Sequence, residues 1–405
     1  MQENSSSSHK GKTDLICLSL SRWDAPVSSP AISLCRELAR TNRIFYIEHP
    51  FSWKDYIKEN RHPRIRSRKK AFTHQREAYS HPPAYPDNFV IVTPPLVYPV
   101  NFLPPGKIYD GLSKQNDRIL LNTVRKLIID YSIREFLFIN FYDPFFLRSF
   151  PGNLAPLQYI YQCMDDIAEE AYTARHGIEL EKEIFSKADK VLCTSTELVR
   201  HASQFASNVF LHPNAADTRL FQRATGNQFT RPPDLPEGRP IIGFIGNIEY
   251  RMDFDLLLQV AKYHSDKLIY MIGPVTGDYA EDAGIRFIPN IFIAGPRKMQ
   301  DLPAYLQYFD CCIIPYKKNK LTRSIYPLKI NEYLSAGKPV VSTNFSVDID
   351  SFSNNAYIAG SNEDFIKMID QAIKEDNEQL RASRVKASME NSWENRAEQF
   401  WTIIG

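Results

Sequence analysis

Twice along the chain, short apolar runs alternate with amphipathic stretches, and a break rich in proline and glycine separates the two series. In the first series, residues 14–20 read as a buried strand, 31–40 have helical spacing, and 43–48 form a second strand. Strand, helix and strand at this length make a βαβ unit, whose crossover requires parallel pairing. Strands at 89–93, 135–140, 159–163 and 190–194, with helices at 116–132 and 179–187, continue the series. The break, 222–239, holds Gly226, Pro232, Pro233, Pro236 and Gly238, which suit neither regular element and predict a linker. Strands at 240–245, 268–272, 285–287, 291–294, 311–315 and 339–343 then follow, with helices at 254–264, 331–336, 362–375 and 393–404. The fold class expected is α/β, with two doubly wound Rossmann-like domains and a cleft between them.

Length agrees, since 405 residues are too many for one core. The expected plan is a disordered tail over 1–13, a first domain over 14–221 interrupted by an insertion at 51–88, the linker 222–239, a second domain over 240–385 and a C-terminal segment 386–405. The formal net charge is +2, with 43% hydrophobic and 24% charged residues, an ordinary globular balance that argues against nucleic acid as a partner. The six cysteines match no zinc spacing and sit in apolar runs, as small buried hydrophobes in a reducing compartment would. The polar, serine-rich start lacks the apolar segment of a signal peptide, and no apolar run is long enough to span a bilayer. A cytoplasmic location is expected, with contact at the inner face of the membrane left open.

In open parallel sheets, ligands bind beyond the carboxyl ends of the strands. Gly246 and Asn247 follow the first strand of the second series, where a glycine admits a diphosphate or simply satisfies a turn. Arg251 is placed to pair with phosphate, or lies on the surface. Lys329 and Glu332 stand one helical turn apart, the first suited to phosphate and the second to two ribose hydroxyls, unless they form a surface pair. In the first series, Asp165 and Asp166 follow a strand as a general base or as an N-cap. Trp23 stacks on an acceptor sugar or packs within its own domain. The aromatic and basic stretch 51–76, with Arg64, Arg66, Arg68, Lys69 and Lys70, suits an anionic membrane or a lipid-pyrophosphate acceptor, or is a solvated loop.

The segment running from Pro327 through Lys329, Glu332 and Gly337 to Val341 resembles the donor-site signature of GT-B glycosyltransferases, nearest to family 4 and its teichuronic-acid and exopolysaccharide branch. Supporting motifs are Trp23-Asp24, His212-Pro213-Asn214 with Asp217 and Phe221, Phe244-Ile245-Gly246, Ile272-Gly273-Pro274, Gly295-Pro296-Arg297 and Trp393-Glu394. The resemblance implies a glycosyltransferase acting without a bound metal or cofactor. Its donor would be a nucleotide-sugar, expected to be a UDP-sugar, and its acceptor a glycan or a lipid-linked glycan in surface-polysaccharide assembly. It places Glu332 on the ribose, Ser324, Tyr326, Pro327, Leu328 and Lys329 along phosphates and sugar, and Arg297 near the base. It assigns Trp23, Asp24, Tyr142 and Asp143 to the acceptor side and returns the terminal helix to the first domain. Three positions depart from the family pattern: Ser324 replaces the first signature glutamate, Asn247 an arginine, and Tyr142 a histidine. The loss at Ser324 also admits a silent partner of an active transferase, and the fold admits a nucleotide-sugar epimerase.

Overall fold

In the computed structural model, residues 13–25, 29–73, 77–83, 85–169 and 171–405 are described. The tail expected to be disordered lies outside them except for Thr13, as do 74–76 and 84 of the insertion and Glu170 of the acidic segment. The chain divides into two units, one ending at Pro213 and completed by Ala397–Gly405, the other Asn214–Arg396.

The strands of the first unit are β1 (Asp14–Ser19), β2 (Ile44–Glu48), β3 (Tyr79–Ser80), β4 (Phe89–Val92), β5 (Phe136–Phe141), β6 (Tyr159–Cys163), β7 (Lys190–Cys193) and β8 (Val209–Leu211). They pair in the order β3-β4-β2-β1-β5-β6-β7-β8, parallel except for the short edge strand β3. β1, β2, β4, β5 and β6 are buried along their whole length, as helix-covered parallel strands must be. Ile16, Leu18, Phe45, Ile47, Val92 and Phe138 form the centre of this core.

The second unit holds β9 (Ile241–Ile245), β10 (Leu268–Ile272), β11 (Ile291–Gly295), β12 (Cys311–Ile314), β13 (Val340–Thr343) and β14 (Tyr357–Ala359). All are parallel, in the order β11-β10-β9-β12-β13-β14. Each sheet therefore reverses its winding once, between β1 and β5 in the first unit and between β9 and β12 in the second. At such a reversal the flanking crossovers leave on opposite faces and open a crevice beyond the carboxyl ends.

Several expectations need correction. The first domain does not end near Phe221, because that ring is fully buried in the core of the second unit. The expected linker is tied to the same unit: Leu235 joins its core, and Asp234 binds Arg297, Tyr270 and Tyr305. Residues 285–287 form a 3-10 turn after a left-handed Gly284, with Phe287 exposed, since three residues suffice for a turn but not for a paired strand. A helix at Glu378–Met389, weakly amphipathic and absent from the sequence reading, spans the expected boundary at 385. The insertion carries three short helices (Trp53–Lys58, Pro63–Arg66, Lys69–Thr73). All six cysteines are buried and unpaired. No helix among the described residues is long and apolar enough to cross a membrane.

Candidate functional site

At the winding reversal of the second unit, β9 is followed directly by Gly246 with φ at +148°, and β10 by Gly273 with φ at +151°. A side chain is excluded at both. A Cβ on Gly273 would lie 2.0 Å from the Gly246 carbonyl oxygen, and a Cβ on Gly246 would lie 2.0 Å from Lys329 Cε. The lysine thus crosses the bare backbone of the strand end. The Gly246 and Ile248 amides donate to Ile272 and Pro274, at 2.8 and 2.9 Å. Asn247, between them, donates no backbone hydrogen bond among the described residues. The loops after β9 and β12 meet through a Met252–Tyr316 bridge and a bond from the Lys317 amide to the Arg251 carbonyl.

The helix Leu328–Ser335 begins beside these loops, behind Pro327 as its N-cap. Tyr333 fixes it in place: the Ile245 amide donates to the Tyr333 hydroxyl at 2.8 Å, which ties the helix to the last residue of β9. Lys329 and Glu332 then project together. Lys329 Nζ lies 6.0 and 5.6 Å from the ring centres of Phe244 and Tyr316 and makes no hydrogen bond or ion pair among the described residues. Glu332 likewise has no such partner. Burial pushes its carboxyl up to about 7, only partly offset by the Lys329 charge. A half-buried carboxylate and a nearby cation, both free of protein partners, form a ready acceptor and a ready counter-charge for a ligand with paired hydroxyls and phosphate.

Other predicted donor residues are engaged elsewhere. Arg251 pairs with Glu249. All three guanidinium nitrogens of Arg297 are occupied, by Tyr305, Pro296 and Asp234. That arginine holds the end of β11 against 222–239. Ser324 donates to the Leu321 carbonyl and closes a helical turn. The buried Tyr326 hydroxyl accepts from Asn331, so its side chain faces the interior, while Pro327 and Leu328 contribute the helix start.

In the first unit, a cavity of about 580 Å³ opens near the winding reversal. It is lined by Arg22 after β1, His49 and Phe51 after β2, and Phe145 and Phe146 after β5. Tyr142 takes a φ of +60°, which is strained for an aromatic residue and turns the chain sharply at the end of β5. Asn140 closes this turn by bonding both the amide and the carbonyl of Asp143. The Asp143 carboxylate is thereby fully buried, with Oδ1 accepting from the Phe145 amide at 3.0 Å and Oδ2 2.6 Å from His49 Nδ1. With Nδ1 donating to Asp143, the Nε2 edge of His49 is left for a ligand. His49 was missed in the sequence because nothing in its spacing from Asp143, 94 residues away, announces the pair; its position directly after a strand was the available signal.

None of the six expected acceptor or catalytic residues, Trp23, Asp24, Tyr142, Asp143, Asp165 and Asp166, is among those lining this cavity. Trp23 packs edge-on to Tyr85, and Asp24 accepts from Arg68 at 2.9 Å. Asp166 caps a turn through the Ala168 amide, at 3.0 Å, and Asp165 beside it is exposed. The following helix starts only at Ala171, so Asp166 is not its N-cap. Among the described residues no group of three or more His, Cys, Asp or Glu is placed to hold a metal ion.

Comparison with known proteins bears on the second unit most directly. Residues 239–375 match the family Glycosyl transferases group 1. A putative teichuronic acid biosynthesis glycosyltransferase, TuaH of Bacillus subtilis (strain 168), is 30% identical over 172 residues, which are 40% of this chain. The match spans 42% of that relative's length. Among solved structures, a sucrose-phosphate synthase from Thermosynechococcus elongatus is similar with a TM-score of 0.65 at 13% identity, covering 96% of this chain and 98% of its own. A trehalose-6-phosphate structure from E. coli bound with UDP-2-fluoro glucose is similar with a TM-score of 0.67 at 10% identity, covering 96% and 98%. At these identities the likeness is one of fold, and the fold is GT-B.

Proposed function

We propose that this GT-B chain, with its group 1 glycosyl transferase domain of the family 4 type, transfers a sugar from a nucleotide-sugar to a glycan or lipid-linked acceptor. The observation that carries the reading is the pair Lys329 and Glu332, free of protein partners beside the bare backbone of Gly246. Glu332 accepts hydrogen bonds from the two ribose hydroxyls. Lys329 and the Asn247 amide stabilise the charge that grows on the diphosphate as its bond to the anomeric carbon breaks. The acceptor binds in the first unit, where His49, oriented by Asp143, takes a hydrogen bond from the attacking hydroxyl. This assignment moves the acceptor-side chemistry from Asp165 and Asp166 to His49. Metal independence, a UDP donor and a role in surface-polysaccharide assembly at the cytoplasmic face of a membrane belong to the same proposal. The relative from Bacillus subtilis supports the polymer class, and the nucleotide of the E. coli structure supports the base.

The test is transfer of labelled sugar from a panel of UDP-sugars to a bacterial lipid extract. Wild-type protein should yield labelled glycolipid, and His49→Asn should slow turnover on the order of 100-fold while leaving nucleotide affinity unchanged. Turnover equal to wild type in His49→Asn would remove His49 from the mechanism. Epimerised donor formed without any acceptor would replace transfer with epimerisation.

A further inference from the structure

We infer that the cavity of the first unit is a binding site for a phosphoryl or pyrophosphoryl group carried by the acceptor, held by Arg22, Lys54 and Arg175. All three line that cavity, and no ion pair engages any of them among the described residues. Arg22 is the anchor. Its guanidinium lies 3.7 Å from the centre of the Phe51 ring, and among the described residues its one polar contact is a long 3.5 Å bond to the Pro50 carbonyl. Its Nε is buried with no hydrogen-bond partner among the described residues. Burial, ahead of the repulsion from Arg64 and Arg68 and despite the attraction of Glu48, holds the Arg22 group below its ordinary pKa. A guanidinium in such surroundings is costly unless an anion meets it.

The carboxylates nearby do not supply that anion. Asp143 is bound to His49, and Glu59 to Arg64. Asp55 accepts from both the backbone and the hydroxyl of Ser52, as the capping box of its own helix. Arg68, by contrast, is fully matched by Glu48 and Asp24, so the basic segment is not uniformly short of partners. Arg22, Lys54 and Arg175 bring unmatched charge to the cavity that His49 also lines. An arginine guanidinium recognises phosphate oxygens in bidentate fashion, and two exposed cations add long-range attraction. The aromatic walls from Phe51, Tyr98, Phe102 and Phe146 suit the sugar or prenyl body that carries the anion.

That the anion belongs to an acceptor rests on the transferase reading; the anion site itself does not. The experiment is calorimetric titration of the full chain with inorganic pyrophosphate, in a Lys329→Gln background that weakens the donor site. Pyrophosphate should still bind. The double variant Lys54→Gln/Arg175→Gln, which alters exposed side chains only, should weaken it by on the order of tenfold or more with an unchanged thermal midpoint. Arg22→Gln should do the same, and Arg22→Lys should recover part of the loss. Tighter binding of farnesyl pyrophosphate than of pyrophosphate identifies a lipid-carried anion, and tighter binding of glucose 6-phosphate a phosphorylated sugar. Pyrophosphate binding abolished by Lys329→Gln alone, or indifferent to the cavity substitutions, overturns the inference and leaves the transferase reading intact. UDP binding indifferent to Lys329→Gln would instead remove the donor assignment and leave the anion site standing.

Discussion

At the scale of single residues, the donor assignment depends on the charge state of Glu332. Its folded pKa of about 7 lies above the ordinary 4.5, so the native state binds more protons than the unfolded chain between those values. Raising pH through that window therefore lowers stability while creating the carboxylate that accepts ribose hydroxyls. Affinity for a UDP-sugar, whose diphosphate does not titrate in this range, should rise about tenfold from pH 6 to pH 8 in calorimetry, as the ionised fraction does. The rise should vanish in Glu332→Gln, and a rise of the same size there would dissociate it from this group. The two strand-end glycines should separate binding from folding. Gly246→Ala confronts the flexible end of Lys329 and should weaken nucleotide binding about tenfold. Gly273→Ala confronts backbone, at the Gly246 carbonyl, and should cost about 2 kcal/mol or more in denaturant unfolding. Lys329, Glu332 and Gly246 were legible in the sequence because one helix and one strand end carry them. The roles of Arg297, Ser324 and Tyr326 were not, since each is decided by partners such as Asp234, Leu321 and Asn331 that no local pattern names.

At the scale of elements, the helix Leu328–Ser335 does the positioning. Its eight residues would be marginal alone, and Tyr333 ties it to β9. The insertion shows the limit of reading charge from sequence. Of its basic run, Arg68 is buried on the doubly bonded Glu48, whereas Lys69 and Lys70 are exposed. Arg68→Ala leaves Glu48 uncompensated and should lower stability by about 3 kcal/mol or more, while Lys69→Ala should stay within about 0.5 kcal/mol of wild type in urea unfolding. Equal effects would mean that the Arg68 pair with Glu48 contributes no more than an exposed lysine. Trp53 and Ile57 of the insertion stand one turn apart and are both exposed. The insertion resisted assignment because its helices are of four to six residues, too short for a periodic pattern to declare itself.

At the scale of the molecule, alternation of apolar runs was enough to foretell two doubly wound sheets, since helix-covered parallel strands leave long buried runs in the sequence. It could not set the division of the chain. Phe221 looks like the end of one domain because a proline-rich stretch follows it, yet its ring packs in the second core. Nor could it reveal His49 and Asp143, which parallel pairing across β2, β1 and β5 brings together from distant sequence. Topology therefore supplies what the motif lacks, a cavity in the first unit lined from the ends of three strands.

The central claim is that Lys329 and Glu332 bind a sugar nucleotide. Calorimetric titration of the protein with UDP, GDP and their sugar conjugates, without added metal, tests it most directly. The account predicts micromolar binding of one nucleotide series, UDP for preference, reduced at least 100-fold in a folded Glu332→Ala variant. Binding of none of them, or binding unaffected by that substitution, would contradict it.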